Sequence, residues 1–254
     1  MTTTTHVPAL RVRGAIKRFG AVLALDAVDL DVSHGEVLAV LGDNGAGKST
    51  LIKCISGVHH LDAGTIELDG VTVSLSTPAA ARASGIETVY QDLALFDNLD
   101  PAANFYAGRE MSGPSWLPRA MRVLRRKDMA EATGRLLERL SVRLPDPGAH
   151  VGLMSGGQRQ AIAVARAAAF ASKVVILDEP TAALGLRESR HVLDLIRRLR
   201  EQNRAVIVIS HAMDHVIEVA DRAVVMRRGR KVGEEIPRRE NRQRIVSLIV
   251  GGDD

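Results

Sequence analysis

The residues best suited to chemistry form a glycine-rich run that begins at Gly42 and ends at Ser49. Its spacing lets the backbone curl so that successive N–H groups point inward, toward phosphate oxygens. Lys48 can then reach the β- and γ-phosphates, and the Ser49 hydroxyl can ligate Mg²⁺. Val37–Leu41 before the run predicts a buried strand, and Thr50–Ile55 after it predicts a helix. We therefore expect a nucleoside triphosphate site. The residues expected to form it are Gly42, Asp43, Asn44, Gly45, Ala46, Gly47, Lys48, Ser49 and Thr50.

An acidic pair follows a second apolar run, much later in the chain. Val174–Leu177 is continuously hydrophobic, as expected of a strand that is buried on both faces. Asp178 comes next and can hold Mg²⁺ through water, and Glu179 can polarise an attacking water as general base. A core strand that merely runs into an acidic turn would show the same pattern. The phosphate loop favours the catalytic interpretation.

A third motif, Ser155-Gly156-Gly157-Gln158, precedes an alanine-rich helix predicted over Gln158–Phe170. The two glycines allow the backbone to approach a ligand closely, and Ser155 with the following N–H groups would form a second anion-binding helix terminus. An ordinary serine N-cap would explain the same residues without a ligand. Because the two phosphate-type sites lie far apart in sequence, we expect a two-fold dimer. Each nucleotide would lie between the phosphate loop of one subunit and Ser155–Gln158 of the other.

These motifs together resemble the ATP-binding-cassette (ABC) ATPase family, over roughly residues 10–251. The resemblance implies ATP and Mg²⁺ as cofactors and three further site residues. Gln91, after the strand predicted over Ile86–Tyr90, would contact Mg²⁺ and the attacking water. His211, after the strand predicted over Ala205–Ser210, would contact the γ-phosphate, and Phe19 would stack on adenine. The implied catalytic residues are Glu179, His211 and Gln91, and the implied metal ligands are Ser49, Gln91 and Asp178.

Three phrases narrow the resemblance to one branch of the family: Gly42–Gly45, Glu87–Gln91 and Asp178–Gly185. This branch contains the ATPase subunits of bacterial carbohydrate importers of the ribose, xylose and fructose type, and one cassette per chain is similar to the fructose-type members. The branch implies uptake of a monosaccharide, membrane permease subunits as partners and, indirectly, an extracytoplasmic sugar-binding protein. It also implies a peripheral position at the cytoplasmic face of the inner membrane.

The chain departs from the family pattern at two positions. Ser155–Gln158 corresponds to the signature of the family. Met154 stands at the position before it, where leucine is usual, and this is a volume-conserving exchange. Gly185 stands where an aspartate commonly reaches across the dimer, although the Ala-Ala-Leu-Gly form is typical of the sugar-importer branch.

The elements that position these residues fall into three regions. Short strands and the phosphate loop are predicted up to about residue 85, with a hairpin over Thr65–Val73 that turns at Asp-Gly. From Gln91 the strand signals stop. A loop is predicted over Gly108–Pro118 and an amphipathic helix over Met129–Leu140. From Lys173 the α/β pattern resumes, with the helix stripe Val192, Leu195, Ile196 and Leu199, a strand over Val206–Ile209 and a hairpin over Arg222–Gly233.

We therefore predict an α/β fold, with a phosphate-loop (RecA-like) ABC ATPase core, an antiparallel β subdomain and an inserted helical lobe. The domain is expected over residues 8–251. Residues 1–90 and 166–237 would form the core with the β subdomain, and residues 91–165 the helical lobe that carries the signature. Residues 238–254 would form a C-terminal tail.

Composition agrees with this prediction. The chain has 254 residues, 46% of them hydrophobic, which is enough for a sizeable core. No apolar run approaches the roughly 18–20 residues that span a bilayer, and the N-terminus does not resemble a signal peptide. The single cysteine, Cys54, excludes an internal disulfide and is expected to be a packing residue.

The net charge is +4 and aromatics make up 3% of residues. Because the basic runs contain no interleaved aromatics, we expect no nucleic-acid partner; these runs would be solvated faces or would meet an anionic membrane or a partner.

Three alternatives use the same phosphate loop. A soluble ABC ATPase that acts on nucleic acid or the ribosome usually carries a long inserted coiled coil or two cassettes, and neither fits one cassette in 254 residues. A phosphate-loop kinase would leave Ser155–Gln158 unexplained. An importer of a non-sugar substrate stays open, because the chemistry of ATP hydrolysis is indifferent to the cargo.

Overall fold

The computed structural model describes residues 7–113 and 123–251, which form two sheets and a set of surrounding helices. The strands are β1 (Leu10–Phe19), β2 (Val22–Val32), β3 (Val37–Leu41), β4 (Ala63–Leu68), β5 (Val71–Thr72), β6 (Ile86–Val89), β7 (Val174–Asp178), β8 (Ala205–Ile209), β9 (Arg222–Arg227) and β10 (Arg230–Glu235). The described α-helices are α1 (Lys48–Ile55), α2 (Pro78–Ala83), α3 (Pro101–Tyr106), α4 (Arg126–Arg139), α5 (Gly156–Phe170), α6 (Leu186–Glu201), α7 (Met213–Val219) and α8 (Arg242–Val250).

The larger sheet has six strands in the order β10-β9-β3-β8-β7-β6. The pairs from β9 to β6 are parallel, and β10 is antiparallel to β9. Alternate residues of β7 enter two different hydrophobic clusters: Val174 and Ile176 pack on the face that carries α1, and Val175 and Leu177 on the face that carries α5 and α6. Burial on both faces explains why this strand is continuously hydrophobic.

The smaller sheet is antiparallel, in the order β2-β1-β4-β5. The predicted hairpin is confirmed: β4 pairs with β5, and Asp69 and Gly70 both have positive φ in the turn between them. The prediction of short strands in this region was wrong for β1 and β2, which have 10 and 11 residues. Their pairing shifts register three times between Val12 and Arg18. These irregularities interrupt the period of two by which a long strand is recognised.

The described part of the segment between β6 and β7 is mainly helical. Its described residues contain α3, α4 and α5, with one isolated β-bridge between Ser112 and Leu124. Helix α4 begins three residues before the predicted start, and Met129, Thr133 and Leu137 form its buried face. Residues 114–118 of the predicted loop lie outside the described residues. The predicted lobe limit at residue 165 falls inside α5, so the domain limits stay a prediction.

The C-terminal segment contains a helix that packs on the core. Ile245 of α8 is fully buried among residues of β3 and β9, including Leu41 and Val225. Across residues 7–113 and 123–251, no helix combines the length and the hydrophobicity needed to cross a bilayer.

Cys54 is buried on α1, as expected of a packing residue. Burial disfavours the thiolate and raises the pKa of this thiol to about 11.

Candidate nucleotide site

The glycine-rich loop joins the carboxyl end of β3 to the first turn of α1. Two of its glycines are required by close packing as well as by positive φ. A Cβ at Gly42 would lie 2.2 Å from the backbone oxygen of Met226, and a Cβ at Gly47 would lie 2.8 Å from that of Ala24. The loop is therefore held between β2 and β9, with its N–H groups at the head of α1.

Lys48 and Asp178 face the same site although 130 positions separate them in the sequence. Strands β3 and β7 each pair in parallel with β8, so the carboxyl ends of both strands lie at the same end of the sheet. The Lys48 amine donates to the carbonyl oxygens of Gly42 at 2.6 Å and Asp43 at 2.9 Å. Burial lowers the pKa of Lys48, against the opposing effect of Glu179, Asp178 and Asp43. Burial, reinforced by the Glu179 carboxylate, raises the pKa of Asp178. The structure thus brings Lys48, expected to bind phosphate, close to Asp178, expected to bind the metal.

Glu179 and His211 are in direct contact. The Glu179 carboxylate accepts a hydrogen bond from His211 Nδ1 at 2.9 Å. The Glu179 N–H donates to the Ile209 carbonyl at the end of β8, also at 2.9 Å. Glu179 has φ of +51°, in the left-handed region that costs a residue with a Cβ about 1 kcal/mol. Strained backbone of this kind persists where the surrounding structure fixes it and is common at functional sites.

Gln91 lies just beyond β6, at the edge of the larger sheet. The preceding residue is fixed to the core, because the Tyr90 hydroxyl donates to Ser56 Oγ at 2.8 Å. The residues that follow are fixed to α5, because the Arg166 guanidinium donates to the carbonyl oxygens of Leu93 at 3.0 Å and Ala94 at 2.8 Å. Gln91 itself is exposed between these two attachments.

Ser155 caps α5, with its oxygen accepting from the Gln158 N–H at 3.3 Å. The Gln158 side chain accepts from the Ser155 N–H at 2.9 Å, which completes a capping box. Gly157 is explained by packing, because a Cβ there would lie 2.2 Å from Glu188 Cγ on α6. At Gly156 the nearest atom to such a Cβ is 3.8 Å away, so packing does not require this glycine. Within one chain this motif and the phosphate loop line different cavities.

Phe19 lies at the end of β1, opposite Val22 in the strand pairing. Phe19 is 43% exposed, and its ring meets the His59 ring edge-on, with centroids 5.1 Å apart. Val22 belongs to the wall of the cavity at the phosphate loop, so Phe19 lies beside that wall.

The cavity at the phosphate loop has a volume of about 430 Å³. Sequence reasoning missed four of its residues, Val22, Leu23, Ala24 and Arg228. The first three lie three to five positions after Phe19, and that proximity could have indicated them. Arg228 comes from the turn between β9 and β10, and no local pattern connects it with the site.

Residues 25–182 match the ABC transporter family, and this chain belongs to that family. It is an ATP-binding cassette that hydrolyses ATP, as the motifs predicted.

The fructose import ATP-binding protein FrcA of Rhizobium meliloti is 47% identical over 248 residues, which cover 97% of this chain and 95% of that protein. The xylose/arabinose import ATP-binding protein XylG of Sulfolobus acidocaldarius is 44% identical over 240 residues, 94% of this chain and 93% of that protein. A nucleotide-free ATP-binding cassette from an ABC transporter has a similar fold, with a TM-score of 0.80, 25% identity and coverage of 96% and 97% of the two chains. The predicted family and fold class are confirmed.

Gly185 offers a test of the departure from the family pattern. It is the N-cap of α6 with φ of −69°, so its backbone does not require glycine. An added Cβ would lie 2.6 Å from Glu188 Oε2, the mobile end of a side chain. We expect Gly185→Asp to slow steady-state ATP hydrolysis several-fold, because its carboxylate would stand beside Glu188 and repel a partner's phosphates. Gly185→Asn, which has the same shape without charge, should stay close to wild type. A rise in turnover with aspartate would contradict this expectation.

Proposed function

We propose that this chain is the ATPase subunit of an importer that takes up a monosaccharide. The observation that carries the proposal is the identity of 47% and 44% to proteins named for import of fructose and of xylose or arabinose, along nearly the whole chain. We further propose that its partners are membrane permease subunits and, through them, an extracytoplasmic sugar-binding protein. The cassette would act as a peripheral subunit at the cytoplasmic face of the membrane.

Hydrolysis requires a water to attack the γ-phosphorus in line with the departing ADP. We assign the general base to Glu179, whose Oε1 is occupied by His211 and whose Oε2 can accept the proton of the water. Gln91 and His211 would hold the water, with His211 also reaching the γ-phosphate. Lys48 and the N–H groups of the loop would neutralise charge that develops on the phosphoryl oxygens. Phe19 would stack on adenine.

Mg²⁺ fits the donors present. Ser49, Asp178 and Gln91 offer the hard oxygen ligands that this ion prefers. Among the described residues there is no group of three or more His, Cys, Asp or Glu side chains able to hold a metal. This agrees with an ion that is bound partly by nucleotide phosphates and water. When bound, Mg²⁺ would supply charge neutralisation at the β- and γ-phosphates.

We propose that the working unit is a homodimer with two composite sites. The Ser155 oxygen accepts from the Gln158 N–H, which leaves its own O–H to donate to an anion. In the proposed dimer that anion is the γ-phosphate held by the partner, and the Gly156 and Gly157 N–H groups lie at the same helix terminus. The location of this motif in a different cavity from the phosphate loop of its own chain supports this arrangement.

Deletion of this chain should abolish ATP-driven uptake of a monosaccharide and leave amino-acid uptake unchanged. The physical reason is that a permease without its ATPase has no source of energy for accumulation. The measurement is uptake of labelled sugars in the deletion strain, across hexoses and pentoses with amino acids as controls. A strain that carries Glu179→Gln in place of the deletion should show the same loss, which ties uptake to hydrolysis. Loss of amino-acid uptake with sugar uptake intact would overturn the assignment of the cargo.

A further inference from the structure

The cavity at the phosphate loop contains a second cation that the proposed mechanism does not use. Of the residues that line it, Lys48 and Arg228 carry charge. Arg228 is the first of two residues in the turn that joins β9 to β10. It lines this cavity together with Val22 and Ala24 of β2.

The turn is fixed to the phosphate loop by its backbone. The Gly229 N–H donates to the Ala46 carbonyl at 3.0 Å, and the Gly229 carbonyl accepts from the Asp26 N–H at 2.8 Å. A Cβ on Gly47 would lie 3.3 Å from the Gly229 Cα, so the two segments are also in close contact. The backbone of Arg228 is therefore held at a fixed place relative to the phosphate loop.

The conformation of the turn does not favour arginine. Arg228 has φ of +49° and Gly229 has φ of +80°, the signs required by a type I′ turn. Asparagine, aspartate and glycine are the residues that adopt this conformation readily at the first position. Arginine is strained there, so local structure does not explain its presence.

The neighbouring arginines have structural partners. Arg230 forms an ion pair with Asp26, with Nε 2.6 Å from Oδ2. Arg227 packs against Gly251 at the end of α8. Arg228 is exposed, and within residues 7–113 and 123–251 no carboxylate forms an ion pair with it. Its guanidinium can therefore turn toward a ligand.

We propose that Arg228 is a nucleotide-binding residue that contacts the α-phosphate. The proposal rests on the nucleotide orientation proposed above. Lys48 lies toward Asp178 and Glu179, at the γ-phosphate end. Arg228 lines the cavity together with Val22, which pairs with Phe19, the residue that would hold the base. At that end of the nucleotide the anionic group is the α-phosphate, which a guanidinium binds through paired, charge-assisted hydrogen bonds.

A contact to the α-phosphate predicts a specific pattern of affinities. ATP and ADP share this group, so loss of the guanidinium should weaken both by the same factor, about five- to tenfold at low salt. Adenosine lacks the group, and its affinity should not change. The effect should shrink as ionic strength rises, because the guanidinium is exposed to solvent.

The experiment is calorimetric titration of the full chain with ATP, ADP and adenosine, for wild type, Arg228→Asn and Arg228→Lys. Arg230→Gln serves as the matched control, since it removes a guanidinium two residues away. We expect Arg228→Asn to bind ATP and ADP equally more weakly, Arg228→Lys to lie between it and wild type, and Arg230→Gln to bind within twofold of wild type.

The melting temperature of each variant, measured without nucleotide, separates an effect on binding from an effect on folding stability. Asparagine suits the left-handed conformation better, so Arg228→Asn should melt at or above the wild-type temperature while it binds ATP more weakly. A lower melting temperature with unchanged ATP and ADP affinity would overturn the proposal. A loss of affinity for ATP but not for ADP would also overturn the proposal, because the contact would then be at the γ-phosphate. Lys48→Ala tests the nucleotide site itself: if that variant also bound ATP as wild type does, the proposed function would fail, whatever Arg228 does.

Discussion

Glu179→Gln should bind MgATP with nearly wild-type affinity and hydrolyse it at least about 100-fold more slowly, the usual contribution of a positioned general base. The amide has the shape of the carboxylate and can still contact His211, but it cannot accept the proton of the attacking water. The backbone supports a clean comparison, since glutamine and glutamate have the same constraint at the left-handed φ of this position. Steady-state phosphate release together with equilibrium ATP binding measures both effects.

The same variant should accumulate an ATP-bound dimer, because closure would no longer be followed by hydrolysis. Light scattering after size-exclusion chromatography, with and without ATP, would detect it. Glu218→Gln is a suitable control, since Glu218 is an exposed carboxylate that pairs with Arg197 on α6, away from the phosphate loop. Turnover of Glu179→Gln within a few-fold of wild type would remove Glu179 from the role of general base.

Ser155→Arg should leave ATP binding by the monomer intact and eliminate both ATP-dependent dimerisation and hydrolysis. The phosphate loop of the same chain lies in another cavity, so the substitution leaves it untouched. At the head of α5, however, a long cation would occupy the place expected for the partner's γ-phosphate. Nucleotide titration, light scattering and phosphate release would follow the three properties.

Loss of the cap must be separated from steric exclusion. Ser155→Ala removes the same capping hydrogen bond, at a cost of about 1 kcal/mol, but adds no bulk, so it should retain part of the activity. A mixture of Ser155→Arg with Lys48→Ala supplies a stronger test. In a mixed dimer, one site would combine an intact phosphate loop with an intact Ser155, so activity should return to at most one site per dimer. Full activity of Ser155→Arg alone would exclude a composite site.

The sequence predicted those parts of the molecule that local patterns specify. Strands β3 and β7 are buried on both faces, and the loop after β3 has a spacing that few other structures require. Gln91, His211 and Phe19 carry no such pattern, so only the family resemblance indicated them. Arg228 could not be predicted by either route. Its proximity to Ala46 depends on how the β9–β10 turn packs against a loop about 180 residues earlier.

The packing at the start of α5, where the signature Ser155–Gln158 lies, could not be predicted from the sequence either. The pair Gly156-Gly157 suggested close approach to a ligand at both positions. Gly157 instead makes room for Glu188 on α6, a contact between residues 31 positions apart. The sequence indicated Ser155 only as a serine N-cap, and the structure adds the Gln158 side chain, which completes a capping box. Its presence does not exclude anion binding, because a hydroxyl can accept one hydrogen bond and donate another.

The burial of Cys54 makes the unmodified chain a convenient background for spectroscopy. A thiol with a pKa of about 11, enclosed by the core, is largely protonated at neutral pH and inaccessible to maleimides and methanethiosulfonates. Since the sequence has no other cysteine, one introduced at Leu153, which is 83% exposed beside the signature, would be the reactive thiol of each subunit. A spin label there would report the separation between subunits during the ATP cycle, without prior removal of native cysteines.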